Sequence, residues 1–106
     1  MLLLTTDSIP GSDRELEALG IVKGSVVQSK NFGKDFMAGM KTLVGGELTG
    51  YTEMLQEARA IATKRMVDEA EALGADAVVC MRYTSSSLMQ GAAEVTAYGT
   101  AVKYKT

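Results

Sequence analysis

The sequence predicts an α+β domain, and three observations lead to that class. Apolar residues between residues 51 and 73 recur at steps of three and four, which indicates a long amphipathic helix. Residues 92–104 alternate between small or apolar side chains and mainly polar or aromatic side chains, as expected of a strand with two different faces. Residues 77–84 (AVVCMRYT) indicate a second strand, close enough along the chain to form an antiparallel hairpin with residues 92–104.

The composition is that of a single globular domain covering residues 1–106. Of the 106 residues, 46% are hydrophobic and 23% are charged, and the net charge is −2. No block of basic residues is present, so we expect neither nucleic acid nor a membrane as a partner. No apolar run approaches the roughly 18 residues of a transmembrane helix. With one cysteine, Cys80, and no export signal, the sequence predicts a cytoplasmic protein.

The first 30 residues contain a strand, a turn and one ambiguous segment. The leucines near the N-terminus predict a first strand, and Pro10 predicts the turn after it. Residues 14–19 (RELEAL) favour a helical turn by propensity, whereas residues 21–28 favour a strand. Gly20 and Gly24 then mark β-bulges or places where another backbone approaches closely.

Two helices are predicted in the middle of the chain. The first covers residues 35–44 and ends at the pair Gly45-Gly46, since a helix C-terminus favours a residue that can adopt positive φ. The second covers residues 51–73 and ends at Gly74. At about 1.5 Å per residue it is roughly 35 Å long, which exceeds the width of a compact domain of this size. We therefore expect part of it to reach a neighbouring subunit.

The last strand predicts where the long helix packs. One of its faces carries small or apolar side chains: Ala93, Val95, Ala97, Gly99 and Ala101. Because small side chains let a helix approach closely, we place the long helix on this face. The other face, with Tyr98 and Tyr104, is expected to meet solvent or another subunit. Residues 85–91 are interpreted as a polar loop, and Arg82 is expected to pair with Glu94 across the hairpin.

Residues 32–79 carry a resemblance to a known family. The pattern F-x-x-D-F-x-A-G-M-K-x-L-V-G-G-x-x-x-x-Y-x-x-x-L, then E-A-R-x-I-A and A-L-G-A-D-A-V-V, is similar to that of the YbjQ-like family. The matching residues include Phe32, Asp35, Phe36, Gly39, Gly45, Gly46, Tyr51, Leu55, Ala58, Arg59, Ile61, Gly74 and Asp76. The family is described as heavy-metal-binding.

The resemblance implies a fold and an assembly. The subunit would be like that of dodecin, with two helices on one face of an antiparallel sheet. Residues 14–30 would form one long bent strand, in place of the local helical turn. The subunits would form a ring-shaped homopentamer, alone or stacked in pairs.

The residues argue against a soft-metal site within one subunit. Sites for zinc, copper or nickel draw on His and Cys, and the chain has no histidine and one cysteine. Cys80 lies mid-strand, where a buried thiol is usual, although a ring of such thiols could assemble a site between subunits. Met37 and Met40 form an M-x-x-M pair of the kind that can bind Cu(I), but we expect them to fill the core. Carboxylates such as those of Asp35 and Glu53 could bind a hard cation, but their spacing in the sequence matches no known cation-binding motif. No metal or other cofactor is therefore predicted.

A ligand-binding site is predicted at the junction of the two helices. Gly45 and Gly46 expose backbone N–H groups before a helix N-terminus, which suits an anion. Tyr51 and Arg59 would complete this site; alternatively, the glycines form a tight corner and the two side chains pack between subunits. No phosphate-loop sequence follows. No catalytic residue is predicted, because residues 85–87 (SSS) have no histidine to serve as a base.

These observations lead to one functional expectation and two alternatives. We expect a non-enzymatic homo-oligomer in which the ring is the functional unit and an unknown small ligand or ion binds at subunit interfaces. Self-association gives a short chain more buried surface. The alternatives are a heavy-metal-binding protein, as the family's description states, and an enzyme with its active site at a subunit interface.

Overall fold

The computed structural model describes residues 1–29 and 49–106. This part of the chain forms four strands and one helix: β1 (Leu2–Leu3), β2 (Leu16–Ser29), α1 (Thr49–Ala72), β3 (Ala77–Met89) and β4 (Ala92–Tyr104). The strands form one sheet in the order β1-β3-β4-β2. The α+β class is confirmed. The helix predicted at residues 35–44 lies outside the described residues, as do Gly45 and Gly46.

The sheet is mixed, so the expectation of a fully antiparallel sheet is wrong at β1. β4 is antiparallel to both of its neighbours, β2 and β3, whereas β1 is parallel to β3. The physical reason is the connection between β1 and β2. Residues 4–15 cross from one edge of the sheet to the other, and a crossing connection leaves the two strands it joins parallel.

β2 is one bent strand of 14 residues, as the family resemblance implies. The local preference of residues 14–19 for a helical turn is overridden because this segment pairs with the end of β4, with Leu16 opposite Tyr104. The register shifts by one residue between Ala18 and Gly20, where Gly20 has φ 128°. Gly20 therefore marks a β-bulge, which confirms one of its two predicted roles.

α1 packs on β2 and β4 and touches β3 little. The contact is very close at Gly24, because a Cβ atom there would overlap the Ala62 carbonyl oxygen and the Met66 nitrogen. The predicted small-residue face of β4 is the face that α1 covers. The core between helix and sheet comprises Val22, Val26, Ala58, Ala62, Met66, Ala70, Val78, Met81, Val95, Ala97 and Ala101. Most of these side chains are small, so the backbones of helix and sheet lie close together.

α1 ends as predicted, at Gly74. The Gly74 N–H donates to the Glu71 carbonyl at 2.9 Å, and the Ala75 N–H donates to the Ala70 carbonyl at 3.1 Å. With Gly74 at φ 77°, these two bonds form a Schellman motif. The motif satisfies two carbonyl groups at the helix C-terminus and turns the chain into β3.

The opposite face of the sheet has a second, smaller core. Ile9, in the crossing segment, packs with Ala77, Val79 and Val102. Pro10 and Gly11 occupy a turn in which the Ser12 N–H donates to the Ile9 carbonyl. The polar-aromatic face of β4 is therefore partly covered by the chain itself: Val102 is buried, whereas Tyr98 is exposed.

β3 is longer than predicted. Residues 85–89 continue the strand, with Ser85 opposite Val95 and Met89 opposite Ala92, so the polar loop expected at residues 85–91 is wrong. Only Gln90 and Gly91 connect the two strands, and Gly91 has φ 82°. The reason is that residues 85–89 contain neither glycine nor proline, so nothing in their backbone prevents pairing with β4.

Candidate functional site

Among residues 1–29 and 49–106, no element covers the second half of the β3 face that points toward α1. An α-helix with its side chains has a diameter of about 10–12 Å, whereas neighbouring strands lie about 4.8 Å apart. One helix therefore covers about two strands. α1 covers β2 and β4, and every residue from Arg82 to Met89 is exposed. Because their partners in β4 face the helix, Tyr83, Ser85 and Ser87 also face the helix side. We call these three residues, with Arg59 and Thr63 of α1, the β3-side surface.

A chain of hydrogen bonds fixes the base of this surface. The Thr63 hydroxyl donates to the Arg59 carbonyl at 2.7 Å and lies 2.7 Å from the Tyr83 phenol oxygen. Since the Thr63 proton is already used, the Tyr83 hydroxyl must be the donor of the second bond. This bond ties β3 to the helix and holds the Tyr83 ring, which is 48% exposed, in place.

Arg59 is exposed and lies one turn before Thr63 on the same flank of α1. In the part of the chain that the structure describes, its guanidinium group makes no hydrogen bond or ion pair. Tyr51, the other predicted ligand-binding side chain of α1, is half-buried in the first turn, about 12 Å away along the helix axis. Of the two predicted ligand-binding side chains on α1, Arg59 thus lies on the β3-side surface and Tyr51 does not.

The outer edge of β3 is protected over its first half only. The Leu4 and Thr6 carbonyls accept hydrogen bonds from the Met81 and Cys80 N–H groups, both at 2.9 Å. From Arg82 to Met89, no described residue pairs with this edge. An unpaired strand edge is a template for another strand or another chain.

The outer edge of β2 is treated differently. Arg65 of α1 donates to the Ser25 carbonyl at 2.6 Å, and the Lys23 N–H donates to a Glu69 carboxylate oxygen at 3.3 Å. Side chains of the helix therefore occupy backbone groups in the middle of β2. The two edges of the sheet are chemically distinct, and β3 has the more open one.

Arg82 does not pair with Glu94, so that prediction is wrong. Glu94 lies opposite Ser86, and the Arg82 guanidinium donates to the Thr5 carbonyl at 3.0 Å and to the Met81 carbonyl at 2.8 Å. Arg82 thus holds the crossing segment against β3. Its partners are backbone carbonyl groups, one on the neighbouring residue and one 77 residues away, which a search for charged cross-strand partners does not consider.

Cys80 occupies a strained position in a β-bulge. The register of β3 against β4 shifts between Val79 and Arg82, and Cys80 has φ 54°. Gly99 lies against the bulge, where a Cβ atom would come within 2.6 Å of a Val78 methyl carbon. Few residues other than glycine adopt positive φ. The role of Cys80 that the structure supports is therefore a structural one in the bulge.

Replacing Cys80 tests this geometry. Cys80→Val is expected to lower the free energy of unfolding by about 2 kcal/mol, because a β-branched side chain is strained at positive φ. Cys80→Gly is expected to stay within about 1 kcal/mol of the parent, because relief of strain offsets the loss of a half-buried side chain. Urea denaturation at one protein concentration measures both. Equal stabilities of the two variants would show that φ is not positive at this position.

The described part of one subunit has no ready-made heavy-metal site of His, Cys or carboxylate ligands. The sequence has no histidine, and its one thiol lies in the bulge, half-buried. Among residues 1–29 and 49–106, no three His, Cys, Asp or Glu side chains are grouped so that they could hold a metal ion. Soft metals need several such donors in one place.

Comparisons with known proteins give the family. A family model with the description "Putative heavy-metal-binding" matches residues 1–105. The chain belongs to the YbjQ family. It is 63% identical over 103 residues to a UPF0145 protein of Clostridium novyi (strain NT), covering 97% of the chain and 98% of the relative. It is 60% identical over 105 residues to a UPF0145 protein of Fervidobacterium nodosum, covering 99% and 96%. The family resemblance is thereby confirmed.

A solved structure is similar in fold. A crystal structure of a protein with unknown function from Pediococcus pentosaceus ATCC 25745, assigned to the DUF74 family, matches with a TM-score of 0.65 and 15% identity. The match covers 99% of this chain and 98% of the other. At this identity the similarity supports the fold alone. In the described ranges, no helix has both the length and the apolar character needed to cross a bilayer.

Sequence reasoning missed most of the β3-side surface. Arg59 was singled out, whereas Tyr83, Thr63 and the serines of β3 were not. The signal for the longer strand was present, since Gln90-Gly91 is a sufficient two-residue turn and residues 85–89 contain no breaker. The contact between Tyr83 and Thr63 had no local signal, because it depends on how the helix crosses the sheet.

Proposed function

We propose that this YbjQ-family chain is a non-enzymatic protein that works as a homo-oligomeric ring, with any small ligand or ion bound at subunit interfaces. The number of subunits, five in one ring or ten in two stacked rings, comes from the family resemblance. The observation that supports self-association most strongly is the exposed second half of β3, whose edge and helix side no described residue covers.

The shape of the subunit supports the same proposal. The radius of gyration of the described Cα atoms is 17.4 Å, and they extend over 58 × 25 × 17 Å. A compact domain of about 100 residues has a radius of gyration of about 13 Å. An elongated subunit leaves much of its surface in solvent unless copies pack side by side, so assembly supplies burial that the single chain lacks.

Exposed apolar side chains near one end of the sheet also support self-association. Val27 near the end of β2 is 57% exposed, and Leu88 and Met89 at the end of β3 are 51% and 69% exposed. Single exposed apolar residues are common, but here they accompany an unpaired edge. Such an edge, with no charged residue between Tyr83 and Met89, invites aggregation unless a defined partner covers it.

Sedimentation equilibrium tests the proposal. The expected mass is a fixed multiple of the 11.2 kDa chain across a tenfold range of concentration, with five or ten chains as the expected number. A mass of 11.2 kDa throughout that range would contradict the proposal, because each subunit would then be stable with its β3 edge in solvent.

The family description supplies the metal-binding alternative. The chain has one thiol, that of Cys80, so a soft-metal site built on thiolate ligands would need Cys80 thiols from several subunits. Cys80→Ser removes every thiol from the assembly. If the alternative holds, this variant loses zinc or copper(I) uptake that the parent shows; under our proposal, parent and variant do not differ.

A further inference from the structure

The two flanks of α1 differ in what they present. The flank toward β3 carries Arg59, one turn from the Thr63 that contacts Tyr83. The flank toward β2 carries Arg65, which contacts β2. Glu57 and Ile61 precede Arg65 at steps of four residues and therefore lie along this second flank. We call Glu57, Ile61 and Arg65 the β2 flank.

The β2 flank borders a shallow groove on the outside of the helix. The groove has a volume of about 460 Å³ and is lined by Glu57, Ala60, Ile61, Lys64, Arg65 and Asp68. Most of its charged side chains already have partners: Lys64 pairs with Asp68 at 3.2 Å, and Arg65 donates to the Ser25 carbonyl. Glu57 differs, since within residues 1–29 and 49–106 its carboxylate has no hydrogen bond and no ion pair.

The helix therefore carries complementary unused charges on its two flanks. Arg59 is a cation on the flank toward β3, and Glu57 is an anion on the flank toward β2. The two cannot satisfy each other within one chain, because residues two apart on a helix do not face each other. Both are exposed, so both are available to another molecule.

A ring of identical chains needs this kind of asymmetry. In a closed ring each copy meets its two neighbours through two different surfaces, and these surfaces must be complementary to each other. In the described part of the chain, β3 is left uncovered beside α1 at the β3-side surface, and the helix of a second copy is wide enough to cover it. The β2 flank of that second helix, which presents an anion and an apolar side chain, would contact Arg59 and the exposed Tyr83 ring.

We propose that the β3-side surface of each copy receives the β2 flank of the next copy, with Arg59 pairing with Glu57 of the partner subunit and Tyr83 packing on Ile61 of the partner subunit. This inference rests on the proposed ring and names the residues that close it. It also makes Arg59 a residue of the subunit contact and not a ligand-binding residue. Charge complementarity between the two flanks is the observation that selects a second copy as the occupant.

Charge reversal tests the pairing. Arg59→Glu and Glu57→Arg are each expected to weaken association at least about 30-fold, because each places like charges together in the interface. The double variant with both changes is expected to associate within about threefold of the parent, since the pair is restored with its sign exchanged. Glu71→Arg, at an exposed position nearer the C-terminus of the same helix, is the matched control and should associate like the parent. Sedimentation velocity over a dilution series gives the association constants, and circular dichroism checks the fold.

The outcomes separate the two proposals. A monomeric parent protein overturns the ring and this pairing together. A parent protein that assembles, with single reversals that assemble equally well, overturns the pairing and leaves the ring standing. Single reversals that weaken assembly without recovery in the double variant also overturn the pairing, because they show a general effect of charge.

Discussion

Replacing Gly24 with alanine is expected to destabilise the protein by about 3 kcal/mol. A Cβ atom at this position would overlap the Ala62 carbonyl oxygen and the Met66 nitrogen and would lie 2.7 Å from the Arg65 Cβ atom. Two of these neighbours are helix backbone and cannot rotate away, so α1 would have to move off β2. That movement would also weaken the packing of the Ala-rich core, which depends on close backbone contact.

Urea denaturation at one protein concentration measures the effect, because unfolding of an oligomer is linked to dissociation. Gly11→Ala is the matched control. Gly11 has open space around it but φ 87°, so alanine there meets backbone strain without a clash and is expected to cost about 1 kcal/mol. If Gly24→Ala lowers the free energy of unfolding no more than Gly11→Ala does, α1 does not lie as close to β2 as described.

Placing a lysine at Ser85 is expected to abolish assembly while leaving the subunit folded. Ser85 is exposed on β3 and faces the helix side, so its side chain would lie in the proposed interface. The one anion of the β2 flank is already paired with Arg59, so the lysine would be buried without a partner charge and would oppose docking of a second copy. The subunit itself loses no described contact of the Ser85 side chain, so its circular dichroism spectrum is expected to be that of the parent.

Thr84→Lys controls for the charge itself. Thr84 is the preceding residue, is equally classed as exposed, and points to the other face of the sheet, opposite Thr96. Light scattering coupled to size exclusion should show a monomer for Ser85→Lys and the parent assembly for Thr84→Lys. An assembly unchanged by Ser85→Lys would exclude this face of β3 from the interface.

The parts of the fold that rest on local patterns were predictable. The helix expected at residues 51–73 spans Thr49–Ala72, and the last strand has the predicted bounds, Ala92–Tyr104. Both elements carry strong periodicity over many residues. Gly74 was also predictable, because one residue with positive φ ends the helix by a local hydrogen-bond pattern.

The parts that rest on contacts distant in sequence were not predictable. The direction of β1 depends on how residues 4–15 cross the sheet, and no local pattern records that path. The partners of Arg82 are carbonyl groups, one of them 77 residues away at Thr5. The strand at residues 85–89 was missed because three successive serines resemble a loop, although as an edge strand it has no face that must be apolar.

In the candidate site, too, some residues could be predicted from local patterns, whereas their contacts with distant residues could not. The sequence predicts Arg59 as a site residue, with either a ligand or another subunit as its partner. The structure places it beside Thr63 and Tyr83 and away from the first turn of the helix. Gly45 and Gly46 lie outside the described residues, so their part in ligand binding stays a prediction.

Native mass spectrometry of the purified protein, with and without added Zn²⁺ and Cu⁺, distinguishes a metal-free ring from a monomer and from a metal-binding assembly. We expect a closed assembly of five or ten 11.2 kDa chains, with no stoichiometric metal adduct. A bare monomer would contradict the ring and the interface built on β3. An assembly that takes up one metal ion per subunit or per ring would contradict the expectation that the ring binds neither Zn²⁺ nor Cu⁺. It would support the family's description as heavy-metal-binding.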